Sequence, residues 1–230
     1  MKSIYSKLFF GVKIFIALAL FSCSKPAKDK GNYLLNCPSQ TIECLDGLQK
    51  VEMITSKGKI IFELDGDSAP LTSGNFLDLI NRGVYNNTIF HRVVKDPFPF
   101  VIQGGDPLSK DIRKNKNIIG TGKFINKENG KIRQIPLEIK LNNEKYPRYN
   151  YLIKGQDNFS QITLTHKKGS LAMARSQALD SASAQFYISL RELPELDGRY
   201  AVFGRVIEGI DVLNIMQKDD RILSIKKLTN

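Results

Sequence analysis

FHRVVKDPFPFVIQGGD, Phe90 to Asp106, is the stretch from which the rest of this chain can be read. It sets one arginine, several ring side chains and one amide close together at strand-like spacing. In an extended strand alternate side chains share a face, so Phe90, Arg92 and Val94 are expected to point one way, with Val101 and Gln103 sharing a face farther on. Gly104 and Gly105 then release the backbone into a turn. That combination makes the sequence readable as an enzyme.

Working outward, Val51–Thr55 and Lys59–Leu64 are two β-rich runs joined by Ser56-Lys57-Gly58, which predicts a hairpin. A helix should follow: Pro70 suits its first turn, Phe76, Leu79 and Ile80 share a face, and Gly83 stops it. Further strands are expected at Ile89–Val94, Phe100–Gln103, Ser170–Ala174, Phe186–Leu190, Ala201–Val206 and Ile222–Leu228, with a short helix over Gly209–Met216. Many strands, few helices and no regular βαβ alternation imply an all-β fold with a closed antiparallel sheet. At 42% hydrophobic and 25% charged, the 230 residues are globular in character and can bury one good core.

Two later blocks join the first: GSLAMARSQALDSASAQFYISL, Gly169 to Leu190, and LDGRYAVFGRVIEGIDVL, Leu196 to Leu213. Together the three ordered blocks resemble the signature of the cyclophilins, the peptidyl-prolyl cis-trans isomerases, over about Val51 to Leu228. The resemblance implies a closed eight-stranded antiparallel β-barrel capped by two α-helices. It assigns Arg92 as the catalytic arginine and Gln103 as the amide that fixes substrate and orients the arginine. It assigns Phe100, Val101, Tyr187 and Leu196 to an apolar proline pocket, and Ala174, Arg175 and Gln185 to the groove for residues preceding proline. Three departures stand out. Lys95-Asp96-Pro97-Phe98-Pro99 lengthens the connection before Phe100, so Phe98 competes with it for the pocket. Glu195 stands where familiar eukaryotic members carry the tryptophan used in binding cyclosporin, which implies weak sensitivity to that drug. Tyr200 replaces their pocket histidine, and a phenol can still cover the ring and donate.

The implied chemistry needs no cofactor, metal or nucleophile. An X-Pro bond rotates slowly because C–N resonance imposes a barrier of about 18–20 kcal/mol. Lowering it takes a pocket for the ring, donors for the carbonyl and a donor for the pyramidal imide nitrogen. A guanidinium is a permanently charged fork of donors suited to the last task. Proline-containing polypeptides are the implied partners. The rival reading is a catalytically weak cyclophilin-like binding module or assembly factor. His91 and His166, the only two histidines, lack metal-ligand spacing and are read as structural. Gly120-Thr121-Gly122-Lys123 lacks the spacing of a phosphate-binding loop.

Residues 1–22 read as a signal peptide: Lys2, Lys7 and Lys13 precede an apolar run, Ile14–Phe21, too short to span a bilayer. Leu20-Phe21-Ser22-Cys23 resembles a bacterial lipobox, which makes Cys23 a lipidation site and residues 23–48 a tether; ordinary secretion is the alternative. Cys37 and Cys44 either form a disulfide or remain free thiols. The domain is placed at 49–230. The chain carries +11, and Lys110–Lys168 alone holds 14 Lys and Arg against five Asp and Glu. This basic insert, about 108–168, interleaves Tyr146, Tyr149 and Tyr151 with Lys145, Arg148 and Lys154, and is expected to be a solvated or lipid-facing loop. No nucleic acid is expected as a partner. An exported, membrane-anchored, monomeric lipoprotein is the resulting expectation.

Overall fold

The computed structural model describes residues 37–39, 41–154 and 159–229. The signal peptide, Cys23 and most of the tether lie outside the described residues. Among those described, no helix is long and apolar enough to cross a membrane.

The strands are β1 (Leu48–Thr55), β2 (Gly58–Asp65), β3 (Arg92–Val93), β4 (Val101–Gly104), β5 (Glu138–Ile139), β6 (Arg148–Tyr149), β7 (Ser170–Met173), β8 (Phe186–Ser189), β9 (Val202–Glu208) and β10 (Ile222–Lys227). Helices are α1 (Pro70–Asn81), a single turn α2 (Ile112–Asn115) and α3 (Ile210–Ile215). Eight strands curl into one antiparallel sheet in the order β10-β1-β2-β9-β7-β8-β4-β3, and β5 pairs with β6. The mainly-β architecture with α1 and α3 agrees with the sequence. Full closure of the ladder does not. The sheet is a half-barrel with β3 and β10 at its ends, joined by an isolated bridge from Ile89 to Arg221. There Phe90 N–H donates to Asp220 O at 2.9 Å and Ile222 N–H to Thr88 O at 2.8 Å. The chain leaves this seam after Phe90 to pair Arg92 with Gln103 on β4.

That change of partner also breaks the alternation expected of Phe90, Arg92 and Val94. Phe90 is fully buried in the main core, whereas Arg92 is exposed on the other side of the wall. Elsewhere the pleat holds. Ile102, Leu171, Phe186, Ile188 and Phe203 face the main core, and their neighbours Val101, Ala172, Tyr187 and Val202 form a separate cluster on the opposite face. Inside, Phe186 meets Phe76 and Tyr85 edge-on at 5.3 and 5.4 Å between centroids. Gly105, at φ +79°, turns the chain beneath this cluster, where a Cβ would lie 2.8 Å from the Phe186 ring and 2.9 Å from Tyr85.

The basic insert is a packed layer, which corrects the expectation of a solvated or lipid-facing loop. Leu137, Ile139, Leu141, Ile153 and Ile162 are buried against Ala201. Tyr149 packs against the main core, and Tyr146 and Tyr151 each lie under a cation of their own segment, Lys145 and Arg148, at 5.1 Å. One contact anchors the layer. Helix α1 begins at Pro70 without a side-chain cap of its own, and Glu138 supplies it from the insert. The carboxylate accepts from Leu71 N–H (3.1 Å), Thr72 N–H (2.7 Å) and Tyr149 O–H (2.8 Å).

Burial raises the Glu138 carboxyl above its ordinary 4.5, against the pull of these donors. The native state therefore holds this proton more tightly than the unfolded chain. Its contribution to stability is complete below the unfolded value and fades as pH climbs through the elevated folded one. Glu138→Ala should cost about 1–3 kcal/mol in urea unfolding, because two buried N–H groups lose their acceptor. The stability advantage of wild type over Glu138→Gln should shrink as pH rises from 4 towards 8 (a range of about four units); an advantage that grows would contradict the assignment.

Candidate active site

The outward face of β4, β8, β7 and β9 carries an apolar cradle. Val101, Ala172, Tyr187, Leu193 and Val202 are its buried members, and Phe100, Ala174, Leu196 and Tyr200 pack around them partly exposed. Leu196 comes from a 3-10 turn, Pro194–Leu196, and Tyr200 meets the edge of Tyr187 at 5.9 Å. Strand register does the rest: Gln103 lies opposite Arg92 on one side and Tyr187 on the other. The Arg92 guanidinium carbon sits 5.7 Å from the Phe100 ring centroid. Phe98 is 73% exposed on the Lys95–Pro99 loop, so Phe100 rather than Phe98 lines the cradle.

A polar cleft of about 380 Å³ adjoins the cradle through Gln103 and Ala174, with Gly120, Gly122, Arg175 and Gln185 among its walls. Gln103 donates to Gln185 Oε1 at 3.1 Å, and the Gln185 amide donates to the carbonyls of Gly120 and Gly122 at 3.0 and 2.9 Å. This Gly-Thr-Gly turn is held in place by Asp106, a fully buried carboxylate that accepts from the N–H groups of Gly120 and Gly122 and from Leu108. Gln103 is thus oriented by a chain of bonds that ends on Asp106. Arg175 is also part of the wall. Its guanidinium donates to the carbonyls of Arg199, Ser176 and Gln177 and stacks over Tyr200 at 4.8 Å. Glu195 turns away onto Arg191, at 2.7 Å.

Sequence reading gave no role to Asp106 or Asp197, and read His166 only as structural. His166 is buried between the Asp197 carboxylate and the Tyr187 hydroxyl. Burial holds the Tyr187 phenol well above its usual range, so it remains an O–H group. His91, with its Nδ1 buried and without a hydrogen bond, is held below the usual histidine range mainly by burial. Away from the site, Cys37 and Cys44 are joined in a disulfide, Cα atoms 6.0 Å apart.

Residues 50–227 match the family model of the cyclophilin type peptidyl-prolyl cis-trans isomerase/CLD. The chain belongs to the cyclophilin family. A Dictyostelium discoideum protein, peptidyl-prolyl cis-trans isomerase cypE, is 34% identical over 190 residues, covering 79% of this chain and 98% of the relative. A protein of Synechocystis sp. named as a thylakoid lumen peptidyl-prolyl cis-trans isomerase is 31% identical over 195 residues, 80% of this chain; there the match spans about half of the relative, 48%. Among solved structures, a Cryptosporidium parvum cyclophilin crystallised in the presence of the dipeptide Ala-Pro superimposes with a TM-score of 0.58 at 28% identity, covering 79% of this chain and all of that one. By family and by the names of its relatives, this cyclophilin is an isomerase.

If Asp106 fixes the cleft rim, Asp106→Asn should expose it. Amide hydrogen exchange at Gly120 and Gly122 is expected to accelerate about 10–100-fold, with core amides of β1 and β2 little changed.

Proposed function

We propose that this cyclophilin accelerates cis-trans isomerisation of X-Pro bonds in exported polypeptides, with Arg92 stabilising the twisted imide. The observation that carries this reading is the placement of the Arg92 guanidinium over Phe100, across from Gln103 and at the rim of the Val101–Tyr187–Leu196 cradle. The cradle would take the proline ring by apolar burial. The cleft of Gln103, Ala174, Arg175 and Gln185 would take the preceding residues, and a guanidinium donor would meet the imide nitrogen as its lone pair localises. A bond to that nitrogen is strong only when conjugation is lost, so it favours the transition state over either planar isomer. Nothing covalent forms or breaks. A differential of about 5 kcal/mol corresponds to a rate gain near 10³–10⁴.

Export rests on the lysine-flanked apolar run of residues 1–22, and the Cys37–Cys44 disulfide suits an oxidising compartment. The Synechocystis relative, named for the thylakoid lumen, supports the same placement. The proposed architecture is a signal peptide over 1–22, Cys23 as a lipidated N-terminus anchoring a tether at a membrane, and the isomerase domain from 49 to 230, acting as a monomer.

A protease-free assay on a proline tetrapeptide tests the mechanism. Arg92→Ala should lower kcat/KM by about 10²–10³, the usual cost of one transition-state donor, with circular dichroism unchanged. Equal rates at background for wild type and variant would favour the binding-module reading. Intact-mass analysis of membrane-fraction protein should show a mature chain starting at acylated Cys23; an unmodified N-terminus would remove the anchor.

A further inference from the structure

The apolar cradle has one polar group in its floor, and the partners of that group are built for it. Tyr187 is 4% exposed and its hydroxyl lies 2.8 Å from His166 Nε2, with the two rings within 7° of parallel. His166 is 1% exposed, and its Nδ1 lies 2.7 Å from Asp197 Oδ1. The same carboxylate oxygen accepts from the His166 backbone N–H at 2.7 Å. A carboxylate only accepts, so the proton of the neutral imidazole sits on Nδ1 and Nε2 is left to accept from the tyrosine. The backbone extends the connection: Leu193 N–H donates to His166 O at 3.0 Å, and Leu196 N–H to Leu193 O at 2.9 Å. One residue, at the C-terminal end of the insert, therefore touches both the β8 wall that carries Tyr187 and the turn that carries Leu193 and Leu196.

We propose that Asp197, His166 and the Tyr187 hydroxyl form a buried brace that keeps two walls of the cradle in register, making His166 a positioning residue for proline binding. This rests on the isomerase reading above for what the cradle binds. Apolar packing alone lets a ring slide and rotate. A buried hydroxyl with one available acceptor fixes both the ring's tilt and its depth, because any displacement leaves a desolvated O–H and a desolvated Nε2 without partners. The brace also ties pocket geometry to the insert, whose last residues deliver His166 to this position.

The test is a double-mutant cycle on the full chain with His166→Ala, Tyr187→Phe and the pair, read by kcat/KM on a proline tetrapeptide and by the Kd of that peptide from NMR titration. In wild type, His166→Ala should weaken both by about tenfold; in the Tyr187→Phe background the same change should cost about twofold or less, since no hydroxyl remains to be held. His166→Gln, whose side-chain oxygen can accept at the Nε2 position, should recover activity to within about threefold of wild type. Nitrogen shifts of His166 in the unmutated protein should show Nδ1 protonated and Nε2 bare, a readout independent of any variant's folding. Equal losses in both backgrounds, or a proton on Nε2 with Nδ1 bare, would overturn the brace. Turnover at background in wild type with coupled losses in Kd would sink the isomerase reading and leave the brace standing. Active wild type with uncoupled losses would do the reverse, and absence of peptide binding by wild type would defeat both.

Discussion

The pleat of four short strands is the constraint on which this structure turns. Because neighbouring residues must point to opposite sides of a β-sheet, each of β4, β7, β8 and β9 supplies two surfaces at once. Ile102, Leu171, Phe186 and Phe203 build the main core, and Val101, Ala172, Tyr187 and Val202 build the cradle. The site is therefore the reverse side of the core wall. It inherits rigidity from Phe186 packed edge-on between Phe76 and Tyr85, and a change of register by one residue would exchange cradle for core.

A second, smaller apolar cluster lies beside the cradle and leaves the cradle itself open at Phe100, Leu196 and Tyr200. The insert packs Leu137, Ile139, Leu141, Ile153 and Ile162 against Ala201 as this small core of its own, and Glu138 fastens it to the start of α1. Most of the described lysines and arginines of the segment are exposed, so its net charge reports mainly on its surface and says little about its interior. Within the site the same economy recurs. Asp106 holds the Gly-Thr-Gly turn, that turn holds Gln185, and Gln185 orients Gln103 beside Arg92.

The hairpin, α1 and α3 were legible in the sequence because their signals are local: period-two and period-three-to-four apolar residues, a proline at the start, a glycine at the end. The cradle residues and Arg92 were legible through a resemblance spread over three blocks. Three features were not. The two ends of the sheet meet through Ile89 and Arg221, which no pattern connects. The insert does alternate, Leu137–Ile139–Leu141, yet Glu138 is buried between two of these residues, so the apolar-polar code for inside and outside fails where a carboxylate caps a helix 66 residues away. His166 sits among basic and small residues, and its role appears only when chain folding brings Asp197 and Tyr187 to its two nitrogens.

The chain enters the folded body through the Cys37–Cys44 clasp and then β1, which lies between β2 and β10. Leu48 at the start of β1 is paired with Asp65 at the end of β2, and Val51 with Lys227 near the end of β10. β1 is therefore held along both of its edges, and a displacement of this strand would disturb two ladders at once. Whatever precedes Cys37, the folded body meets it at an interior strand and not at a sheet edge.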